Sequence, residues 1–132
     1  MERTSIMLKP DCINRGLMGE VISRIEKKGF KIANAKMMNL DEPILREHYA
    51  HIADKPFFPK VVEYMTSGPV LAMIVEGENA VSGMRRIMGP TKYEEAQAGT
   101  IRGDFATSTS YNIIHGSDSV ENAEIEIKRF FG

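Results

Sequence analysis

The run of residues 70–75, VLAMIV, constrains the fold of this chain more than any other segment. All of its residues are apolar, and Pro69 and Gly77 bound it. It is far shorter than the roughly 20 residues that span a bilayer, so it has to be buried inside the protein. Continuous apolar runs between turn residues are typical of strands that are covered on both faces. The run therefore predicts a central strand of a sheet.

The segments around this strand alternate between short strands and amphipathic helices. Period-two patterns or short apolar runs predict further strands at residues 4–8, 33–37 and 111–114. Apolar residues at helical spacing predict helices over residues 17–29, 42–67, 81–88 and 120–130. Pro56 and Pro59 break the second helix into two pieces, because a residue before proline avoids helical dihedrals. This order predicts an α+β fold, in which helices cover a small, mostly antiparallel sheet.

Length and composition limit the class of protein. A chain of 132 residues with 42% hydrophobic and 27% charged residues predicts a single domain over residues 1–132. Its net charge of -1 argues against a protein that coats nucleic acid or anionic lipid. Cys12 is the only cysteine, which excludes an internal disulfide. With no bilayer-length segment and no secretory signal, we expect a soluble cytoplasmic protein with no membrane partner and no specific nucleic acid partner.

His115 lies at a position that favours a binding or catalytic site. It ends the last predicted strand, directly before the start of the final helix, and Gly116 permits a tight turn there. The polar residues 117–119 can cap the free N–H groups of that helix. An imidazole beside such donors can meet a bound anion, and it can attack a phosphoryl group or move a proton. From the residues alone, a structural histidine beside an ordinary cap is an equally good interpretation.

The other two histidines, His48 and His51, lie three residues apart on a predicted helix. They could share a face of that helix and hold a metal ion. No further ligand lies nearby in the sequence, so we interpret them as solvent-exposed polar side chains and predict no metal site.

Several charged residues are candidates for the same site as His115. Glu126 lies at the edge of the final helix's apolar stripe, so it is either a partner for a histidine or a solvated charge. Arg85 and Arg86 precede the segment of residues 90–110, which has no period and holds Thr91 and Arg102. Long loops often carry function, and guanidinium groups match phosphate oxygens geometrically, although surface arginines also serve solubility.

Phe57 and Phe58 lie between two prolines at the junction of two predicted helices. One ring could belong to the core while the other is exposed and stacks on a base. The spacing does not decide which of the two is exposed.

Taken in order, the motifs of this chain resemble the nucleoside diphosphate kinase family. The matching stretches are KPD at 9–11, RGL at 15–17, GE at 19–20, KPFF at 55–58, SGPV at 67–70, EGENAV at 76–81, GTIRGDF at 99–105 and NIIHGSDS at 112–119. They cover almost the whole chain, and the last stretch is highly specific. The resemblance implies a ferredoxin-like α/β sandwich and a ping-pong exchange, in which a nucleoside triphosphate gives its γ-phosphoryl group to His115 and a nucleoside diphosphate takes it away.

The resemblance also implies a role for each candidate residue. Glu126 would orient the His115 ring with help from Ser117. Phosphates would be held by Arg85, Thr91 and Arg102, and the sugar hydroxyls and the moving phosphate by Lys9 and Asn112. Tyr49 would lie close to the histidine, and Phe57 would stack on the base.

Because every base has a flat π-face, this arrangement predicts broad tolerance of the base. Magnesium is expected to arrive with the nucleotide, since no acidic cluster in the sequence matches a protein-built cage. The alternative reading is a catalytically silent nucleotide-binding or interaction module on the same fold.

The resemblance implies a homo-oligomer, a hexamer built from dimers or else a tetramer. Two features of the 90–110 loop depart from the family pattern: Lys92-Tyr93 stands where a proline-containing pair is usual, and Ala98 replaces a proline. Because proline restricts the unfolded chain, these changes predict a less stable assembly.

Overall fold

The computed structural model describes residues 1–132 and is built around one four-stranded sheet. The strands are β1 (Glu2–Leu8), β2 (Lys31–Met38), β3 (Val70–Gly77) and β4 (Ile114–Gly116). They lie in the order β2-β3-β1-β4, and all three neighbouring pairs are antiparallel. The predicted ferredoxin-like α+β sandwich is confirmed, with a sheet that is antiparallel throughout.

Seven α-helices surround the sheet. They are α1 (Pro10–Asn14), α2 (Met18–Lys28), α3 (Glu42–His48), α4 (Phe58–Met65), α5 (Ala80–Met88), α6 (Ile101–Phe105) and α7 (Val120–Phe131). The N-termini of α3, α6 and α7 are each capped by a side-chain oxygen, from Asp41, Thr100 and Ser119 respectively. None of these helices combines the length and the apolar character that a membrane crossing requires.

The central strands β1 and β3 are buried on both faces. In β1, Ile6 and Leu8 pack into one core with α2 and α5, whereas Met7 packs into a second core with α3, α4 and α7. This alternation follows from the period of two along a strand. All of residues 70–75 are buried, which confirms the central strand predicted from the apolar run.

Strand β2 corrects one expectation. The alternation in residues 33–37 predicts a half-buried strand, yet all five of these residues are exposed. The strand is present, but it lies at the edge of the sheet, paired only with β3, and within this chain both of its faces are largely open. Alternating residues indicate a strand but not what covers it.

The segment of residues 90–114 corrects two more expectations. A 3₁₀ turn (Tyr93–Glu95) and α6 interrupt the predicted loop, and both are too short to display a helical period. The last strand begins at Ile114 rather than at residue 111. The reason is Ile113, whose φ of 79° is incompatible with a strand ladder.

Candidate active site

Strand β4 and helix α7 bring His115 and Glu126 together. His115 lies opposite Met7 of β1, so its side chain faces the side of the sheet that α7 covers. The Nε2 atom of His115 lies 2.7 Å from Oε1 of Glu126. The hydroxyl of Ser117, a buried residue, donates to the same carboxylate oxygen at 3.0 Å. Of the two readings of Glu126, a histidine partner or a solvated charge, the structure supports the partner.

The charge of Glu126 decides which ring nitrogen of His115 donates to it. Burial raises the pKa of this carboxyl, but hydrogen bonds and charge interactions with His115, His48 and Ser117 outweigh burial and hold the pKa below its ordinary value. An ionised carboxylate only accepts hydrogen bonds, so His115 donates from Nε2. In the neutral ring the lone pair is then on Nδ1, which is the nitrogen available as a nucleophile.

A strained turn precedes the histidine. The N–H of Ile114 donates to the carbonyl of Asn112 at 2.8 Å, which closes a three-residue turn around Ile113 and its positive φ. The N–H of Ile113 donates to the carboxylate of Asp11 at 3.2 Å, and the N–H of Lys9 donates to the Ile113 carbonyl at 2.9 Å. Both polar groups of the strained residue are therefore held, which fixes Asn112 and His115 on either side of it.

His115 opens into a polar cleft of about 520 Å³. Three of the five residues predicted to contact phosphate line this cleft, namely Arg85, Thr91 and Arg102. The Arg85 side chain donates to the carbonyl of Gly116, the residue after the histidine, at 3.3 Å. Arg86 does not line this cleft. The cleft thus combines an imidazole with guanidinium groups that suit phosphate oxygens.

Arg102 has a structural role that the sequence does not reveal. It is buried, and its guanidinium donates to three backbone carbonyls: Asn112 at 3.3 Å, Gly89 at 2.9 Å and Ile114 at 2.5 Å. Burial, and then the charge of Arg85, lowers the pKa of Arg102 to about 10, so the group stays charged at neutral pH. Since arginine has five N–H donors, two remain for a ligand in the cleft.

A second cleft of about 420 Å³ adjoins the nucleotide-site candidates Lys9, Tyr49 and Phe57. Lys9 donates from Nζ to Oδ1 of the buried Asn112 at 2.7 Å. Burial, and then the charge of Arg102, lowers the pKa of Lys9 to about 8. The backbone carbonyl of Asn112 accepts a hydrogen bond from Arg102, which lines the first cleft. The Lys9–Asn112 pair therefore links the second cleft to the wall of the first.

The structure decides between the two phenylalanines. Phe58 is buried in the core, whereas Phe57 is 51% exposed beside the second cleft, as the stacking hypothesis requires of one ring. The Tyr49 ring packs against His48, with 4.8 Å between ring centroids, and His48 in turn packs against His115. Burial raises the pKa of Tyr49 to about 12, so its hydroxyl is neutral.

His48 was expected to be solvent-exposed, and that expectation is wrong. Its ring is half-buried and lies edge-on to the His115 ring, with 4.8 Å between centroids and 78° between planes. Burial, followed by the charge of His115, lowers the pKa of His48 to about 3. His51 is exposed as expected. The spacing to Leu45 is the sequence signal for the burial of His48. Leu45 is buried and lies three positions earlier on α3, which places His48 on the same, inner face of the helix.

Ligand atoms of His48, His115 and Glu126 all lie within 4.8 Å of one another. Two of these groups, His115 and Glu126, already hydrogen-bond each other. Asp118, Asn122 and Arg129 also line the cleft, although no pattern in the sequence predicts a ligand contact for any of them.

Comparisons with known proteins show the family of this chain. The sequence model of the nucleoside diphosphate kinase family matches residues 2–132. A protein of Symbiobacterium thermophilum named nucleoside diphosphate kinase is 54% identical over 132 residues, which cover 100% of this chain and 88% of that protein. One from Exiguobacterium sibiricum with the same name is 55% identical over 131 residues, covering 99% and 95%.

Solved structures give the same result. The apo nucleoside diphosphate kinase of Encephalitozoon cuniculi is 51% identical with a TM-score of 0.96, and the match covers 100% of this chain and 90% of that one. The Halobacterium salinarum nucleoside diphosphate kinase, solved in complex with CDP, is 47% identical with a TM-score of 0.94, covering 98% and 87%. With its histidine, carboxylate and guanidinium groups gathered at one cleft, this chain is an enzyme of the nucleoside diphosphate kinase family.

Proposed function

We propose that this enzyme moves the γ-phosphoryl group of a nucleoside triphosphate to a nucleoside diphosphate through a phosphohistidine at His115. The observation that carries the proposal is the 2.7 Å contact between His115 Nε2 and Glu126 at a cleft lined by Arg85 and Arg102. The contact leaves Nδ1 as the nucleophile, and the arginines supply the positive charge that phosphoryl transfer needs.

The reaction would proceed in two half-reactions at the same nitrogen. First, the Nδ1 lone pair attacks the γ-phosphorus, the bond from this phosphorus to the bridging oxygen breaks, and the diphosphate leaves with the bonding electrons. Then a β-phosphate oxygen of a second diphosphate attacks the same phosphorus, and the N–P bond breaks to return the lone pair to Nδ1. Glu126 keeps the proton on Nε2 and stabilises the charge that the ring gains in the phosphorylated state.

The two linked clefts support a division of the nucleotide between them. Arg85, Thr91 and Arg102 would bind phosphates in the first cleft, and Lys9 and Asn112 would bind the sugar hydroxyls and the moving phosphate at the junction. Phe57 would stack on the base in the second cleft beside Tyr49. The Halobacterium salinarum relative, solved with CDP, supports a nucleotide site in this fold.

We propose that Mg²⁺ enters bound to the nucleotide. The carboxylates at the first cleft are those of Asp118 and Glu126, and Glu126 is already engaged by His115 and Ser117. Mg²⁺ prefers oxygen ligands and usually keeps several waters, so phosphate oxygens and water suit it better than the imidazoles nearby. The ion would neutralise phosphate charge, while the protein positions the nucleotide.

We also propose a homo-oligomer, with a hexamer built from dimers favoured over a tetramer. The open edge and exposed faces of β2 support this, because an unpaired strand edge is a ready surface for a second chain. Light scattering distinguishes the two assemblies, and a monomeric mass would refute both.

A phosphate-exchange assay tests the proposed activity. With MgATP as donor, we expect triphosphates to form from ADP analogues, GDP, CDP and UDP at rates within about tenfold of one another, because stacking is tolerant of the base. Initial rates measured at varied donor and acceptor concentrations should give parallel lines in double-reciprocal plots, as a ping-pong mechanism requires. Equilibrium binding of these nucleotides without exchange would instead favour the silent binding module.

The carboxylate partner gives a second prediction. Glu126→Gln should lower kcat by about a hundredfold while nucleotide affinity changes little, because the neutral amide no longer stabilises the charged ring during transfer. Rapid-quench kinetics would measure the transfer, and calorimetry would measure ADP binding. A large loss of affinity with normal turnover would contradict the orienting role of Glu126.

A further inference from the structure

Arg129 of helix α7 is a half-buried cation at the wall of the first cleft that the proposed reaction does not use. Its side chain is only 13% exposed, and its Nε atom is buried without a hydrogen-bond partner. This nitrogen forms a long ion pair, 3.6 Å, with the exposed carboxylate of Glu47, and exposed ion pairs contribute little to stability. Burying a guanidinium is costly unless its donors are paired, so Arg129 is poorly accounted for by stability alone.

The side chain of Arg129 makes one hydrogen bond, and its partner is His48. Nη1 of Arg129 lies 2.8 Å from Nδ1 of His48. Arginine has donors but no acceptor, so the Nδ1 atom of His48 has to be the unprotonated acceptor. His48 is therefore neutral, with its single proton on Nε2. A charged His48 would lose this hydrogen bond and would bring a second cation against Arg129.

His48 in turn packs against the nucleophile. Its ring meets the rings of His115 and Phe130 edge-on, at centroid distances of 4.8 Å and 5.2 Å. The hydrogen bond to Glu126 fixes only one corner of the His115 ring, at Nε2. A ring held at one atom can still rotate about its side-chain bonds, and the contact with His48 limits that rotation on one side.

We propose that Arg129 and His48 are positioning residues for phosphoryl transfer at His115. Arg129 holds His48 in one tautomer and one place, and His48 supports the His115 ring so that Nδ1 stays directed at the phosphoryl group. This inference rests on the proposed function, since it concerns the rate at which His115 is phosphorylated.

Arg129→Leu tests the inference, because leucine fills much of the space but donates no hydrogen bond. We expect the single-turnover rate of phosphoenzyme formation at saturating MgATP to fall about tenfold, with KM changed less than about twofold. Arg129→Lys, which can still donate to Nδ1, should recover much of the rate. The matched control is Lys128→Leu, the exposed neighbour on the same helix, which should behave as the unmodified enzyme. His48→Gln should slow the same step without raising KM.

Long-range ¹⁵N–¹H spectra of the histidine rings provide a readout that a merely structural role would not move. His48 should have its proton on Nε2 in the unmodified enzyme and a mixture of tautomers in Arg129→Leu, with Lys128→Leu unchanged.

The inference is overturned by a protonated Nδ1 in the unmodified enzyme, or by an unchanged transfer rate in Arg129→Leu. A raised KM with unchanged kcat would also overturn it and make Arg129 a phosphate ligand. An unmodified enzyme that forms no phosphoenzyme would refute the proposed function, whereas the tautomer would still report on the Arg129–His48 pair.

Discussion

His115→Asn is expected to reduce phosphate exchange by more than about a thousandfold, because an amide nitrogen has no lone pair comparable to that of imidazole Nδ1. Ser117 still donates to Glu126, so the carboxylate keeps a partner and the fold should persist. The measurement is the exchange rate with MgATP and GDP, together with the midpoint of urea unfolding.

ADP binding is the control for this variant. The phosphate and base contacts proposed for Arg85, Lys9 and Phe57 do not depend on the histidine, so ADP should bind within a few-fold of the unmodified affinity. Exchange at more than a tenth of the normal rate would show that phosphate is transferred directly between nucleotides, or through another residue.

Arg102→Met is expected to destabilise the fold by about 3–5 kcal/mol, since each buried carbonyl left without a donor costs about 1–3 kcal/mol. The carbonyls of Gly89 and Ile114 lose the Arg102 donor, and the Asn112 carbonyl keeps only the N–H of Ile114. The lost hydrogen bonds join the end of α5 to both sides of the strained turn. Urea unfolding followed by circular dichroism measures the change.

Arg86→Met is the matched control, because Arg86 is exposed on α5 outside the first cleft. It should alter the free energy of unfolding by less than about 0.5 kcal/mol. If Arg102→Met were as stable as this control, the three hydrogen bonds would not contribute as described. Loss of activity in an Arg102 variant is therefore no proof of a phosphate contact unless its stability is measured as well.

The parts of the fold that follow from the sequence are those with a sustained pattern. The apolar run of β3 predicts a strand covered on both faces, and the apolar stripe of α7 predicts a helix. Helix α6 and strand β4 are too short for such a pattern, with 5 and 3 residues. The start of β4 was not predictable from the sequence, because a β-branched residue such as Ile113 rarely has a positive φ and gives no sign of one.

The same distinction holds for the site. His115 and Glu126 lie eleven residues apart across one strand-to-helix turn, so local sequence suggests that they meet. His48 reaches His115 only because α3 and β4 pack on the same side of the sheet, which is a tertiary contact that no local period encodes. Arg102 likewise resembles a surface phosphate ligand in sequence, and only the folded chain turns it toward three carbonyls.

The central claim is that His115 carries the phosphoryl group between two nucleotides. The most direct measurement incubates the enzyme with MgATP alone, quenches rapidly in base, and locates the phosphate by peptide mass spectrometry. We expect one acid-labile, base-stable phosphoryl group per chain on His115, which disappears when GDP is added as GTP forms at the same rate. Steady exchange with no trapped phosphoenzyme, or phosphate on any other residue, would contradict it.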